Sequence, residues 1–324
     1  MFRFTLFTPS RPPWVTGALI SLALAACGGG KPKDVVSTDQ SHRPAPAVQV
    51  TPVGGPVTRV PAPEVPRVVS YEEAESVYQA GKYAEAKQLF ARYTESKPEN
   101  AWGHYMLGLA SWKSGDPAGA ERAFGRALAQ DPQHVKSLLN SSRVLLELGR
   151  AHEALERVNT ARTLDSTSSE PLRLLARVQQ QLGQLDSAVT SYRRALILDQ
   201  QDVWAMNNLG MLYLEQKQPE LALGPLARAV ELKPTSPVFQ NNLGIVLELT
   251  GHLNEAKLAY AAAVQADSGY AKAVTNAKRT AEIVASPLSG ISVKEQAELF
   301  RQSVRMWKES PIAPTPPPPA GREG

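Results

Sequence analysis

A single cysteine, Cys27, stands in a chain of 324 residues. An intramolecular disulfide is excluded, and so is a structural zinc site built from cysteine pairs. Histidine is scarce too: His42, His104, His134, His152 and His252 are scattered. His152-Glu153 opens like a zinc-protease motif, but Glu156 stands where the second histidine belongs. No Gly-x-Ser-x-Gly elbow is present. Gly28-Gly29-Gly30 is not followed by Lys-Ser or Lys-Thr at phosphate-loop spacing. Paired carboxylates such as Glu72/Glu73 fall at a helix start, where they complement the helix dipole. Neither sign of charge dominates. The formal net charge is +4, and it becomes +2 (4 − 2) if Arg3 and Arg11 are removed with a leader peptide. That balance makes no case for nucleic acid. The sequence therefore predicts no catalysis, no cofactor and no metal.

What the chain has instead is a period. From Arg67 to Tyr270, six copies of one unit follow each other at intervals of 34 residues. The pairs Ala86/Phe90, Ala120/Phe124, Ala154/Val158, Ala188/Tyr192, Ala222/Leu226 and Ala256/Tyr260 keep strict register. Ala127, Ala161, Ala195, Ala229 and Ala263 follow three residues further on. Each unit reads as helix, short turn, helix. In the second copy the first helix is predicted over Ala101 to Ser114, with turns of the series at Gly81, Gly115, Gly149, Gly183 and Gly251. Asp116-Pro117 reads as an N-cap and first helical residue, and Ser70-x-x-Glu73 as a capping box at the domain start. Pro98, Pro132 and Pro234 end their repeats. Leu107-Gly108, Leu209-Gly210 and Leu243-Gly244 share one register. Glycine weakens a helix interior, so three at one register predict a close helix crossing against the alanines of the second helix. Gly224-Pro225 inside the fifth repeat's second helix predicts a kink or a shortened helix.

A unit of this length cannot bury its apolar face alone and has to stack on neighbours. The pattern resembles the tetratricopeptide repeat family over about two thirds of the chain. That resemblance implies an all-α, right-handed superhelical solenoid of six helix-turn-helix repeats: 67–100, 101–134, 135–168, 169–202, 203–236 and 237–270. A capping helix over 271–285, polar on the face carrying Lys272, Lys278, Arg279 and Glu282, should close its end. A further amphipathic helix is expected over 291–310, with Val293, Ala297, Phe300, Val304 and Trp307 on one face. Two readings of that face are open: packing on the end of the solenoid, or docking of a partner.

Both termini are biased. Residues 1–26 read as a leader: Arg3 and Arg11 precede an apolar stretch, Val15 to Ala26, too short for a permanent membrane span. Leu24-Ala25-Ala26-Cys27 resembles the bacterial lipobox, which implies lipid attachment at Cys27 and a membrane held through that lipid. Gly28 at mature position two favours the outer membrane by analogy with enterobacterial sorting, with the repeats facing the periplasm. The rest of 27–66 and all of 311–324 are proline-rich and read as an extended tether and tail.

On the first helix of each repeat two stripes separate. Leu107, Gly108 and Ser111 face the second helix, whereas Trp102, Tyr105, Leu109 and Trp112 share another face. In the tetratricopeptide family that second face lines the concave groove, so the resemblance implies a peptide-binding site there. Tyr71 and Tyr78 add to it from the first repeat, and Trp204, Met211 and Leu214 from the fifth. Aromatics give contact area with few rotors to freeze. Arg143, Arg173 and Arg177 make the middle of the groove basic. Asn140, Asn208 and Asn242 share a register beside it and could pair with a peptide backbone, as in the asparagine ladders of related superhelical proteins, or with a neighbouring repeat. The aromatics likewise either meet a partner or pack on adjacent repeats and the tether.

Leader, tether and repeats together are similar in layout to the pilotin-like lipoproteins of type IV and Tad pilus systems. They are also similar to tetratricopeptide lipoproteins that dock cell-wall hydrolases. The expectation is a protein-interaction adaptor in the bacterial envelope, in pilus or secretion assembly, or alternatively in peptidoglycan remodelling.

Overall fold

The computed structural model describes residues 68–284 and 290–310, all within the unit Pro63–Gly324. The leader, Cys27, the tether, Pro287 and the tail after Ser310 lie outside the described residues.

Among the described residues there are fourteen helices and no strand. The first twelve form six hairpins: α1 (Tyr71–Gln79) with α2 (Tyr83–Ser96), α3 (Ala101–Lys113) with α4 (Pro117–Gln130), α5 (Val135–Glu147) with α6 (Ala151–Leu164), α7 (Ser169–Gln181) with α8 (Leu185–Leu198), α9 (Val203–Glu215) with α10 (Pro219–Leu232), and α11 (Pro237–Leu249) with α12 (Leu253–Ala266). Then come α13 (Ala271–Ala281) and α14 (Val293–Glu309).

The alternation of helices sets the curvature. From α1 to α13 each helix packs on the next, and odd helices also touch odd helices: α1 on α3, α3 on α5, α5 on α7, α9 on α11 and α11 on α13. Successive even helices make no comparable contact. Odd helices therefore crowd together on the inner side, and even helices diverge on the outer side.

The repeated pairs are the core of this stack. All six alanines and their six larger partners, from Ala86/Phe90 to Ala256/Tyr260, are fully buried. The close crossings are where the sequence places them. A Cβ built on Gly108 would lie 2.5 Å from the Phe124 ring, on Gly210 2.5 Å from Leu226, and on Gly244 2.5 Å from the Tyr260 ring.

Caps and turns follow their local chemistry. Asp116 Oδ1 accepts from the Gly119 amide at 2.7 Å, with Pro117 in the first helical turn. Ser70 Oγ accepts from the Glu73 amide at 3.1 Å. Gly81, Gly115, Gly149, Gly183 and Gly251 all have φ between 74° and 85°, where a Cβ is costly. The fifth repeat places Lys217 at that register, with φ 59°.

Two expectations need correction. Of the kink or shortened helix expected at Gly224-Pro225, the shortening is absent: α10 has 14 residues, as many as α4. Proline removes one backbone bond, to the carbonyl of Leu221. Leu221 is on the solvent side, where water can take over that carbonyl.

The second correction concerns α14, which does not pack on the end of the solenoid. It turns back onto the outer helices α10 and α8. Ala297, Phe300 and Val304 are buried there, and the Phe300 Cβ comes within 3.0 Å of the position a side chain on Gly224 would take. Trp307 meets Phe300 edge-on at 5.7 Å and carries the Arg193 guanidinium over its ring at 4.8 Å. α13 packs on α12 and α11 at the end of the stack, with Ala273 and Thr280 buried and Arg279 bound to both Glu248 oxygens.

Candidate binding face

The inner face is built by a simple offset. Six side-chain bonds between odd helices join residues 35 apart, one more than the period: Tyr105–Asn140, Trp112–Glu147, Leu146–Gln181, Gln180–Glu215, Asn207–Asn242 and Asn241–Asn276. A register on one odd helix thus bonds to the following register on the next.

At the N-terminal end the aromatic residues cluster. Trp102 is 46 % exposed, with its ring edge-on to Tyr105 at 5.4 Å and to His134 at 4.8 Å, and Lys136 Nζ lies 5.0 Å from its centroid. Tyr105 is buried, and its hydroxyl meets the Asn140 amide at 3.2 Å. Burial first, then neighbouring Tyr78, pushes the Tyr105 phenol up. Tyr71 turns toward the second helix of its own repeat and meets Phe90 and Tyr93, each at 5.7 Å. Tyr78 meets Tyr83 at 5.2 Å. Leu109 and Trp112 are partly buried, and Trp112 Nε1 donates to Glu147 at 2.8 Å. Neither Trp102 nor Trp112 is sealed in the interior.

His134, which sequence reasoning passed over, is the N-cap of α5. Its Nδ1 accepts from the Ser137 amide at 3.2 Å, so the ring proton sits on Nε2. Desolvation, opposed by Asp131 and helped by Lys136, holds the imidazole below 6.5. The sign of the pH effect follows. The unfolded chain takes up a proton that folded His134 resists, so this contribution is whole above pH 6.5 and is lost as pH falls below it. His134→Asn keeps a cap without the titration. Urea midpoints of the two proteins should diverge between pH 7.5 and 5.5, with the wild type losing more as acid is added.

The middle of the face carries three arginines, two of them paired with carboxylates. Arg143 donates to Asn140 at 2.7 Å and pairs with Glu170. Arg173 pairs with the buried carboxylate of Asp202 at 2.9 Å. Arg177 is exposed. Toward the C-terminal end, Trp204 is 45 % exposed and edge-on to Phe239 at 5.0 Å. Met211 and Leu214 are partly buried beside it.

Asparagines link the last three odd helices. Asn276 donates to Asn241 at 3.0 Å, Asn241 to Asn242 at 3.4 Å, Asn242 to Asn207 at 2.8 Å and Asn207 to Asn208 at 3.2 Å. Asn140 and Asn242 are therefore engaged by neighbouring repeats. The tandem pairs Asn207-Asn208 and Asn241-Asn242 were a sequence signal for this relay, readable only with the offset of 35.

A scan of family models decides what these hairpins are. One model described as tetratricopeptide repeat matches residues 77–140 and 111–178, and a second with the same description matches 173–237. Residues 77–237 are tetratricopeptide repeats. Solved tetratricopeptide structures share the fold. A thermophilic protein of Thermus thermophilus aligns over 57 % of this chain and 100 % of its own, at 20 % identity and TM-score 0.51. A tetratricopeptide repeat protein of Parabacteroides merdae aligns over 65 % and 82 %, at 13 % identity and TM-score 0.56. Among curated relatives, the BBSome complex member BBS4 of Bos taurus is 27 % identical over 44 % of this chain and 28 % of its own length. Cellulose synthase operon protein C of Xanthomonas axonopodis is 30 % identical over 47 % of this chain and 10 % of its own. The chain thus spans less than a third of those relatives. Tetratricopeptide repeats mediate protein–protein interactions.

Proposed function

We propose that this chain is a lipid-anchored adaptor of the bacterial envelope that captures a protein partner in the inner face of its tetratricopeptide solenoid. The observation that carries this reading is the half-exposed pair of indoles, Trp102 and Trp204, on a face whose other aromatic side chains, Tyr71, Tyr78, Tyr105 and Trp112, are more deeply buried. A large aromatic surface held rigid and open to solvent is what a binding hot spot needs. The anchor is inferred from the lipobox-like Leu24-Ala25-Ala26-Cys27, and Gly28 after it favours the outer membrane, facing the periplasm, by analogy with enterobacterial sorting. The layout of leader, tether and repeats supports a client in pilus or secretion machinery.

The test has two arms. Metabolic labelling with an alkynyl fatty acid should mark the chain and fail to mark Cys27→Ser. Crosslinking and mass spectrometry in the native bacterium should recover a partner, and Trp102→Ala with Trp112→Ala should lose it while circular dichroism and melting stay near wild type. A double variant that unfolds, or one that keeps its partner, removes the groove from the mechanism.

A further inference from the structure

Where the even helices diverge, clefts open on the outer side between their C-terminal turns, and two of them are cavities in the same register. At the junction of the first and second repeats, Thr94, Glu95, His104, Arg126 and Gln130 line a cavity of about 380 Å³. Two repeats later the same registers, Arg162, Thr163, Leu172, Arg194 and Leu198, line one of about 510 Å³. Both volumes fall within the roughly 300–1,000 Å³ of small-molecule sites. Their chemistry differs. The first cavity is lined by one guanidinium and one carboxylate, Arg126 and Glu95. In the second, Thr163 takes the place of Glu95 and Arg162 that of Thr94, so two guanidiniums line the wall and no carboxylate does.

Arg162 is out of character at its register. The other repeats place Thr94, Leu128, Leu196, Val230 and Val264 there, and Thr94, Leu196 and Val230 are buried. The Arg162 Nε is likewise shut off from water, but it has no hydrogen-bond partner, and the side chain makes no ion pair among the described residues. The acids that follow the two arginines in sequence hold their own turns instead: Asp165 accepts from the Thr167 hydroxyl, and Asp199 from the Gln201 amide at 2.8 Å. Arg162 lies in the last turn of α6, where the helix dipole favours a cation. An exposed register such as that of Thr163 would serve the dipole without an unpaired donor in an apolar place. A charged donor left without an acceptor costs stability that an incoming anion would restore. The remaining wall is apolar, formed by Leu172, Ile197 and the half-exposed Leu198.

We propose that this outer cavity binds a small amphiphilic anion, its oxyanion head on Arg162 and Arg194 and a short hydrocarbon tail over Leu172, Ile197 and Leu198. The guanidinium asks for the charge, and the leucines and isoleucine ask for the tail. Carboxylate and phosphate heads both offer oxygens that a guanidinium binds strongly. The inference rests on neither the inner face nor the lipid anchor, so its failure leaves both of those readings standing.

The test follows the methyl resonances of Leu172, Ile197 and Leu198 in the full chain as decanoate or decyl phosphate is added below its micelle concentration. Saturable shifts at all three support the site, and the tighter binder names the head. Acetate and inorganic phosphate supply the heads without the tail, and decyltrimethylammonium supplies the tail with the opposite charge. Each of these should bind at least roughly tenfold more weakly. Arg162→Leu restores the residue of the second and fourth repeats, Leu128 and Leu196. It should weaken binding at least roughly tenfold while the melting temperature holds or rises. Leu198→Ser, at an exposed position, should weaken binding roughly fivefold. Arg126→Gln, in the first cavity, should leave it unchanged. No saturable shift, unchanged affinity in Arg162→Leu or in Leu198→Ser, equal binding of a head alone or of the cationic amphiphile, an equal loss in Arg126→Gln, or a lower melting temperature in Arg162→Leu would each overturn the proposal.

Discussion

Gly108→Ala should destabilise the protein by about 2–3 kcal/mol, while Gly125→Ala, one helix away, should stabilise it by about 0.5–1 kcal/mol. Textually the two changes are the same. At Gly108 the new methyl would sit 2.5 Å from Phe124 Cε1. That ring is fully buried, so it has nowhere to move, and α3 has to lift off α4 instead. At Gly125 nothing lies within 4 Å, so the methyl meets no neighbour and the helix gains by restricting its unfolded chain. Urea midpoints would show the opposite signs. Because a solenoid unfolds by neighbouring units, hydrogen exchange in Gly108→Ala should quicken in α3 and α4 first and leave α11 to α13 nearly unchanged. Loss spread evenly along the chain would mean that the repeats are more strongly coupled than nearest-neighbour packing allows.

Phe300→Ala should cost about 3–4 kcal/mol locally and free α14 from the outer face. The ring is 6 % exposed and is seated in the gap that Gly224 leaves open. With the ring gone, Ala297 and Val304 have too little apolar area to hold a 17-residue helix on their own. The expected record is fast hydrogen exchange throughout α14, a moderate rise in α8 and α10, and no change in α1 to α4. Loss of the Trp307 contact with Arg193 should also alter tryptophan fluorescence. Retained protection of α14 would show that its polar contacts hold it, and the packing argument would fail.

How much of this was legible in sequence follows from how local each cause is. The hairpins were legible because their causes recur every 34 residues: Ala120 under Phe124, Gly108 across from it, Gly115 at the turn. The position of α14 was not, since an apolar stripe says that a helix packs and does not say on what. The clue was present in Gly224-Pro225, but as a pair it read as a helix fault, and only Phe300, distant in sequence, explains the glycine. The partners of Trp112 and Tyr105, Glu147 and Asn140, depended on the one-residue offset between adjacent odd helices. Without that offset Asn242 appears free to meet a peptide, and with it Asn242 is bound to Asn207.

The seating of α14 across α8 and α10 has a mechanical consequence. Outer helices that diverge freely allow a coil to open or tighten, since only inner contacts resist. Bridging two of them stiffens that one stretch. Under tension along its axis, the solenoid should extend through its first three hairpins while the fourth and fifth keep their pitch, as a spring does when some of its coils are soldered together.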